Sequence, residues 1–268
     1  MTQAKRQPTG AFKEGYLEVD GFRIRYMEAG QGNQVVILEG ATWGLSNVRD
    51  ALSKYYRVVA IELPGFGRST ANAKSQSVRE LANTAAQAVD QIVAGKFTLI
   101  GSYFGANVAL WQTLQAPDRV EGLILISPTA IRSKETARAR TPEESYHQLL
   151  AHPDKTPGLM NIDPVLWAKE QELVRGLNGQ THDEEAETKL SEIRCPTLVV
   201  FGVNDKTVAP EAAWIYREKI PNSNISFVYD AGHLIEAERP EALINAVSDY
   251  VEHRETFIVG RESHLINP

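Results

Sequence analysis

Along "GYLEVDGFRIRYMEAG" (15–30), apolar and polar residues take turns on either side of Asp20-Gly21. That alternation, with a pair suited to positive φ at its centre, predicts a β-hairpin with one buried face. A different pattern follows. "QVVILEG" (34–40), "RVVAIELPGFG" (57–67), "FTLIG" (97–101), "VEGLILISP" (120–128) and "PTLVVFG" (196–202) are short continuous apolar runs that end in Gly or Pro. Such runs predict strands buried on both faces. "ISFVYDAG" (225–232) predicts one more strand. Helical spacing marks 46–56, 77–93, 106–116, 210–220 and 240–255, with Ser77 and Glu80 placed as a capping box. Strands alternating with helices imply an α/β domain whose mostly parallel sheet is covered on both faces. Right-handed crossovers then put the functional loops at the carboxyl ends of the strands.

Residues 130–194 break this rhythm. They are charged, helical in pattern and interrupted by "HPDKTPG" (152–158) and "LNGQTHDEE" (177–185). The expected organisation is a core of 1–129 and 195–268 with an inserted helical cap over 130–194. The tail "TFIVGRESHLINP" (256–268) carries no pattern that assigns it a place.

Composition narrows the function. A net charge of −6 gives no attraction to a phosphate backbone or an anionic membrane. No apolar run is long enough to span a bilayer, and the polar N-terminus has no signal-peptide core. The single cysteine, Cys195, allows no intramolecular disulfide and fits a reducing compartment. A cytoplasmic protein acting on a small molecule is expected, without nucleic-acid or membrane partners; homodimerisation stays open.

The chemistry centres on "LIGSYFGANVALW" (99–111). Gly101-Ser102-Tyr103-Phe104-Gly105 has the frame of a nucleophile elbow, G-x-S-x-G, with Tyr103 where the attacking serine belongs. Ser102 is one place early. Centred on it, the flanks become Ile100 and Phe104, too bulky for the turn, and its side chain faces the opposite way.

Five ordered signals resemble the α/β-hydrolase superfamily, in its capped branch of esterases and carbon–carbon hydrolases. They are "VVILEG" (35–40), "LPGFGRS" (63–69), "IGSYFGA" (100–106), "FGVNDKTVAP" (201–210) and "AGHLIEAERPEAL" (231–243), and they cover nearly the whole chain. The resemblance implies an α/β-hydrolase fold with Asp205 as the orienting acid and His233 as the base. It also implies an oxyanion loop after the first buried strand. There, Glu39 stands in place of the usual histidine before Gly40.

A phenol titrates near pH 10 and is far longer than a serine side chain, so acyl transfer through Tyr103 is not expected. Tyr103 suits a hydrogen bond to a carbonyl or enolate, or proton transfer with His233. The alternative is a side chain that plugs a disused site. Glu39 is expected either as a second proton donor or as a carboxylate turned away beneath its loop. Gly40, Ala41, Thr42, Trp43, Phe104 and Trp167 are the expected oxyanion and substrate contacts. Trp43, Tyr146, Met160 and Trp167 line an apolar pocket or form the cap's own core.

No cofactor is implied. Asn204-Asp205 lacks further ligands, His147 and His152 lack zincin spacing, and no GxGxxG is present. The leading expectation is an enzyme with non-serine acid/base chemistry of lyase, isomerase or cyclase type. A silent binding protein is the first alternative. A residual hydrolase working through Ser102 or His233-activated water is the second.

Overall fold

The computed structural model describes residues 11–40, 44–133, 141–156, 163–177 and 181–254. Eight strands form one sheet: β1 (Lys13–Val19), β2 (Phe22–Ala29), β3 (Gln34–Glu39), β4 (Arg57–Glu62), β5 (Phe97–Ser102), β6 (Val120–Ile126), β7 (Thr197–Gly202) and β8 (Ser223–Val228). Their order is β1-β2-β4-β3-β5-β6-β7-β8. The hairpin β1–β2 joins antiparallel at one edge, and β3 to β8 pair in parallel. Asp20 (φ 51°) and Gly21 (φ 82°) make the hairpin turn, both left-handed, as a two-residue connection matching strand twist requires.

The helices are α1 (Ser46–Leu52), α2 (Val78–Ile92), α3 (Phe104–Gln115), α4 (Pro142–Leu149), α5 (Pro164–Gly176), α6 (Glu184–Lys189), α7 (Ala212–Lys219), α8 (Ile235–Glu238) and α9 (Pro240–His253). Side chains alternate across the sheet. On β3, Val36 and Leu38 join the core under α2, α3 and α7, while Val35 and Ile37 join the core under α1 and α9. A third, smaller cluster stands apart from both: Tyr103, Tyr146, Leu150 and Leu234. Helices α4, α5 and α6 all lie between β6 and β7, where the sequence breaks its strand–helix rhythm.

The capping box at α2 closes in a shifted form. Ser77 Oγ accepts the Glu80 N–H at 3.2 Å, but the Glu80 carboxylate reaches back to the Gln76 N–H at 2.8 Å. Cys195, half-buried ahead of β7, has its thiol pushed up to about 11 by burial, which leaves little thiolate at neutral pH. Among the described residues no helix is long and apolar enough to cross a membrane. The tail after Glu255 lies outside the described residues.

Candidate active site

β5 ends at Ser102 and α3 begins at Phe104, so the whole change of direction falls on Tyr103. Its φ of 56° and ψ of −121° are sparsely allowed for a residue with a side chain. Holding it there costs about 1–3 kcal/mol, which the surrounding structure supplies. The Tyr103 N–H donates to the Ile126 carbonyl at 2.9 Å, and the Ala106 N–H donates to the Tyr103 carbonyl at 3.2 Å. The flanking glycines serve close approach. A Cβ on Gly101 would stand 2.5 Å from the Gly105 carbonyl oxygen, and one on Gly105 would stand 2.4 Å from that of Leu38. Ser102 is an ordinary buried β5 residue in register with Ile126.

His233 and Asp205 meet beside this turn. His233 Nδ1 lies 2.7 Å from Asp205 Oδ2, with both side chains almost wholly buried. Asp205 Oδ1 accepts the N–H groups of Thr207 (2.8 Å) and Val208 (2.9 Å). Those two bonds fix the carboxylate within its own loop. An acceptor at Nδ1 places the proton there and leaves Nε2 with the lone pair. The Ser127 hydroxyl donates to the His233 carbonyl at 2.8 Å, so β6 anchors the loop from below.

Tyr103 faces this pair. The rings of Tyr103 and His233 lie 5.1 Å apart, centre to centre, inclined at 39°. Tyr103 is 5% exposed and packs with Tyr146, Leu150 and Leu234. Burial drives its phenol well above the ordinary tyrosine range, and the negative charges of Glu236, Asp205 and Glu238 push the same way. The hydroxyl is therefore neutral at physiological pH, a hydrogen-bond donor and not a phenolate. It has no hydrogen-bond partner among the described residues. Phe104, the first residue of α3, points its N–H out of the helix with no intrahelical acceptor. This is a neutral donor, a backbone donor and a buried His–Asp pair around one strained turn.

A profile of the Alpha/beta hydrolase family matches residues 35–246. The chain belongs to the alpha/beta hydrolase family. Family relatives include the 2-hydroxy-6-oxo-6-(2'-aminophenyl)hexa-2,4-dienoic acid hydrolase of Metapseudomonas resinovorans. It is 24% identical, with 94% of this chain and 95% of that one covered. The 2-hydroxy-6-oxononadienedioate/2-hydroxy-6-oxononatrienedioate hydrolase of Escherichia coli is 27% identical over 85% and 91% of the two chains. The malate-bound thermophilic esterase from Thermogutta terrifontis has the same fold. Its TM-score is 0.78 at 22% identity, covering 91% of this chain and all of that one (100%).

The family position of Glu39 has local partners of its own. Glu39 ends β3 on the face covered by α1 and pairs with Arg49, Nη1 to Oε1 at 3.1 Å. Its oxygen would lie 3.1 Å from a Cβ on Gly44. Burial raises its carboxyl above the usual range, and Arg49 opposes the rise. Glu62, its register partner on β4, pushes the same way as burial, and Arg25 opposes it.

Glu236, which the sequence did not single out, does related work. Helix α1 starts at Ser46, and Leu45 before it offers no side-chain cap. Glu236 Oε1 accepts the Asn47 N–H at 2.7 Å and lies 3.4 Å from Ser46 Oγ, while its Oε2 is buried without a partner. Burial raises this carboxyl too.

Gly40 is buried, and a Cβ there would stand 2.8 Å from the Gly105 nitrogen. Phe104 stacks on Phe66 with ring centres 5.6 Å apart. Trp167 is half-buried on α5, with its indole N–H enclosed and unpartnered. Tyr146 places its hydroxyl 2.6 Å from the Pro153 carbonyl and 2.7 Å from that of Thr156. It is thus anchored within its own segment while its ring meets Tyr103. Ala41, Thr42, Trp43 and Met160 lie outside the described residues. Among those described, no group of three His, Cys, Asp or Glu side chains is placed to hold a metal.

The two raised carboxyls give a pH signature. In the folded chain Glu39 and Glu236 hold protons above pH 4.5, where an ordinary glutamate has begun to lose them. The native state then binds more protons than the unfolded one, so both groups lower stability as pH climbs from about 4.5 towards neutrality. Glu39→Gln and Glu236→Gln should each flatten that decline, read as the urea midpoint between about pH 4 and 7. Parent-like slopes in both variants would show that neither carboxyl is responsible.

Proposed function

We propose that the protein hydrolyses a small carbonyl compound of the 2-hydroxy-6-oxo-dienoate type with water, not a side chain, as the nucleophile. The observation that carries this reading is the neutral Tyr103 phenol standing at the elbow beside a buried, well-oriented His233–Asp205 pair. The relatives' activity favours hydrolysis over the lyase, isomerase or cyclase steps expected from the sequence.

The chemistry needs no covalent intermediate. His233 Nε2 takes a proton from water as the oxygen adds to the 6-oxo carbon, and Asp205 stabilises the resulting imidazolium. The Tyr103 O–H and the Phe104 N–H donate to the oxyanion. When that tetrahedral centre collapses, the carbon–carbon bond breaks. With the dienol first ketonised, its 2-hydroxyl proton moved to C5, the electron pair of that bond passes into the 2-oxo-3-ene as a dienolate, and the imidazolium returns its proton to the 2-oxygen. A carboxylic acid and a 2-hydroxydienoate leave, with one water consumed. Substrate contacts come from Gly40, Phe104 and Trp167, with the helices between β6 and β7 as the enclosing cap. The medium is cytoplasmic, and neither a cofactor nor a macromolecular partner takes part.

A second reading is a ligand-binding protein without turnover. It is favoured by the closeness of the Tyr103 ring to His233 and its packing on Tyr146 and Leu150. Acid quenching during turnover of a 2-hydroxy-6-oxo-dienoate, followed by intact-mass measurement, tests both. The expected result is product formation with no mass added to the chain. An acyl adduct on Tyr103 or Ser102 would overturn the water mechanism, and saturable binding without product would select the second reading.

A further inference from the structure

We infer that Glu238 is a positioning residue for the base, acting by fastening the end of α4 to the His233 loop. Its carboxylate collects three backbone N–H groups from two distant segments. Oε2 accepts from Gly232 at 2.6 Å and Ala151 at 3.1 Å, and Oε1 accepts from His152 at 2.7 Å. The residue before the base and the two residues after Leu150 are thereby held by one side chain.

The surroundings are built for this contact. A Cβ on Gly232 would stand 2.7 Å from the Ala151 nitrogen and 2.8 Å from the Leu149 carbonyl oxygen. Only glycine lets the two backbones approach so closely. The Leu234 N–H donates to the Leu149 carbonyl at 3.0 Å, on the other side of His233. His152 Nε2 pairs with Asp230, one step further along the same loop. The acid's loop reaches the same place, with Lys206 Nζ 3.3 Å from the Leu150 carbonyl and Thr207 Oγ1 3.5 Å from that of Gln148. Segment 148–152 is therefore a fixed wall of the site, seated on the loops of both His233 and Asp205. A carboxylate in such a role stabilises by charge-assisted bonds to N–H groups that would otherwise be left without acceptors.

This extends the proposal that His233 is the working base, and the test separates the two. The protein would be compared as parent, Glu238→Gln, Glu238→Ala and, as a stability control in the α9 core, Leu243→Ala. Amide hydrogen exchange at Ala151, His152 and Gly232 should rise at least tenfold in Glu238→Ala and less in Glu238→Gln, whose single oxygen can keep the two Oε2 bonds. The downfield proton NMR signal of the His233 Nδ1–H, shared with Asp205, should broaden or shift in Glu238→Ala. In Leu243→Ala it should stay in place. Turnover of a 2-hydroxy-6-oxo-dienoate should fall at least tenfold in Glu238→Ala with KM within threefold. An unmoved His233 signal in Glu238→Ala overturns the positioning role, whatever the exchange rates show. A moved signal with turnover unchanged, in this variant and in His233→Ala alike, supports the positioning role and overturns His233 as the base.

Discussion

His233→Ala should lose about 10³-fold in turnover of a 2-hydroxy-6-oxo-dienoate while the folded chain and its affinity for the compound persist. A positioned general base contributes roughly 10²–10⁴-fold, and among the described residues His233 is the group the proposal gives that part. The side chain is buried, so the variant gives up some packing. Its loop, however, is held through its own backbone, by the Ser127 hydroxyl on the His233 carbonyl and by the Leu234 N–H on the Leu149 carbonyl. Asp205→Asn should cost a similar factor for a different reason. The asparagine oxygen can keep the Thr207 and Val208 N–H bonds, but its amide then presents a donor to His233 Nδ1. That forces the proton to Nε2 and removes the lone pair facing the substrate. Steady-state rates with circular dichroism as a folding check decide both cases. Parent-like turnover in His233→Ala would leave the pair without a catalytic part.

Tyr103→Ser should turn a protein inert to fluorophosphonates into one labelled at residue 103. These probes report a hydroxyl activated by a neighbouring base. The parent offers none, since the phenol is neutral and long and Ser102 is a strand residue outside the turn. The variant puts a short hydroxyl on a backbone already bent to φ 56°, between glycines that still clear Leu38 and the start of α3, beside a histidine already oriented. Losing the ring opens a cavity against Tyr146 and Leu150, so about 3–5 kcal/mol of stability is at risk. Labelling below the melting transition, located by peptide mapping, is the measurement. Absence of an adduct in a folded variant would mean that His233 cannot reach a serine at the elbow. Because Glu39 is engaged with Arg49 on the α1 face, adding Glu39→His should bring no further gain.

The hairpin, the alternation of strand and helix, and the elbow were legible because each is a local matter. Asp20-Gly21 declares its turn by residue type, and Gly101 and Gly105 declare close approach by their spacing around Tyr103. Asp205 and His233 were found through the family resemblance, since nothing within five residues of either shows that they meet. The supporting carboxylates were hidden for the same reason. Glu236 reaches Asn47 across 189 positions, and Glu238 reaches His152 across 86. Single-chain periodicity marks such glutamates as ordinary polar residues of a short helix. Glu39 shows the limit from the other side. Its place in the motif left two readings, a proton donor or a carboxylate turned away beneath its loop, and the Arg49 pair that bears on the choice comes from α1, which a strand pattern does not describe.

Tyr103 and its neighbours belong to neither of the two cores that sandwich the sheet. The side chains beside His233 are therefore packed as a cluster of their own, separate from the bulk of the core. On the proposed reading, a mutation in the small cluster alters the groups beside His233 while the side chains packed on the two faces of β3 to β8 stay in place. The converse also holds, since repacking beneath α2 or α9 leaves the identity of the reacting groups untouched. Such a scaffold can drift in function by substitutions at a few positions, each tolerated long enough for the next to arise.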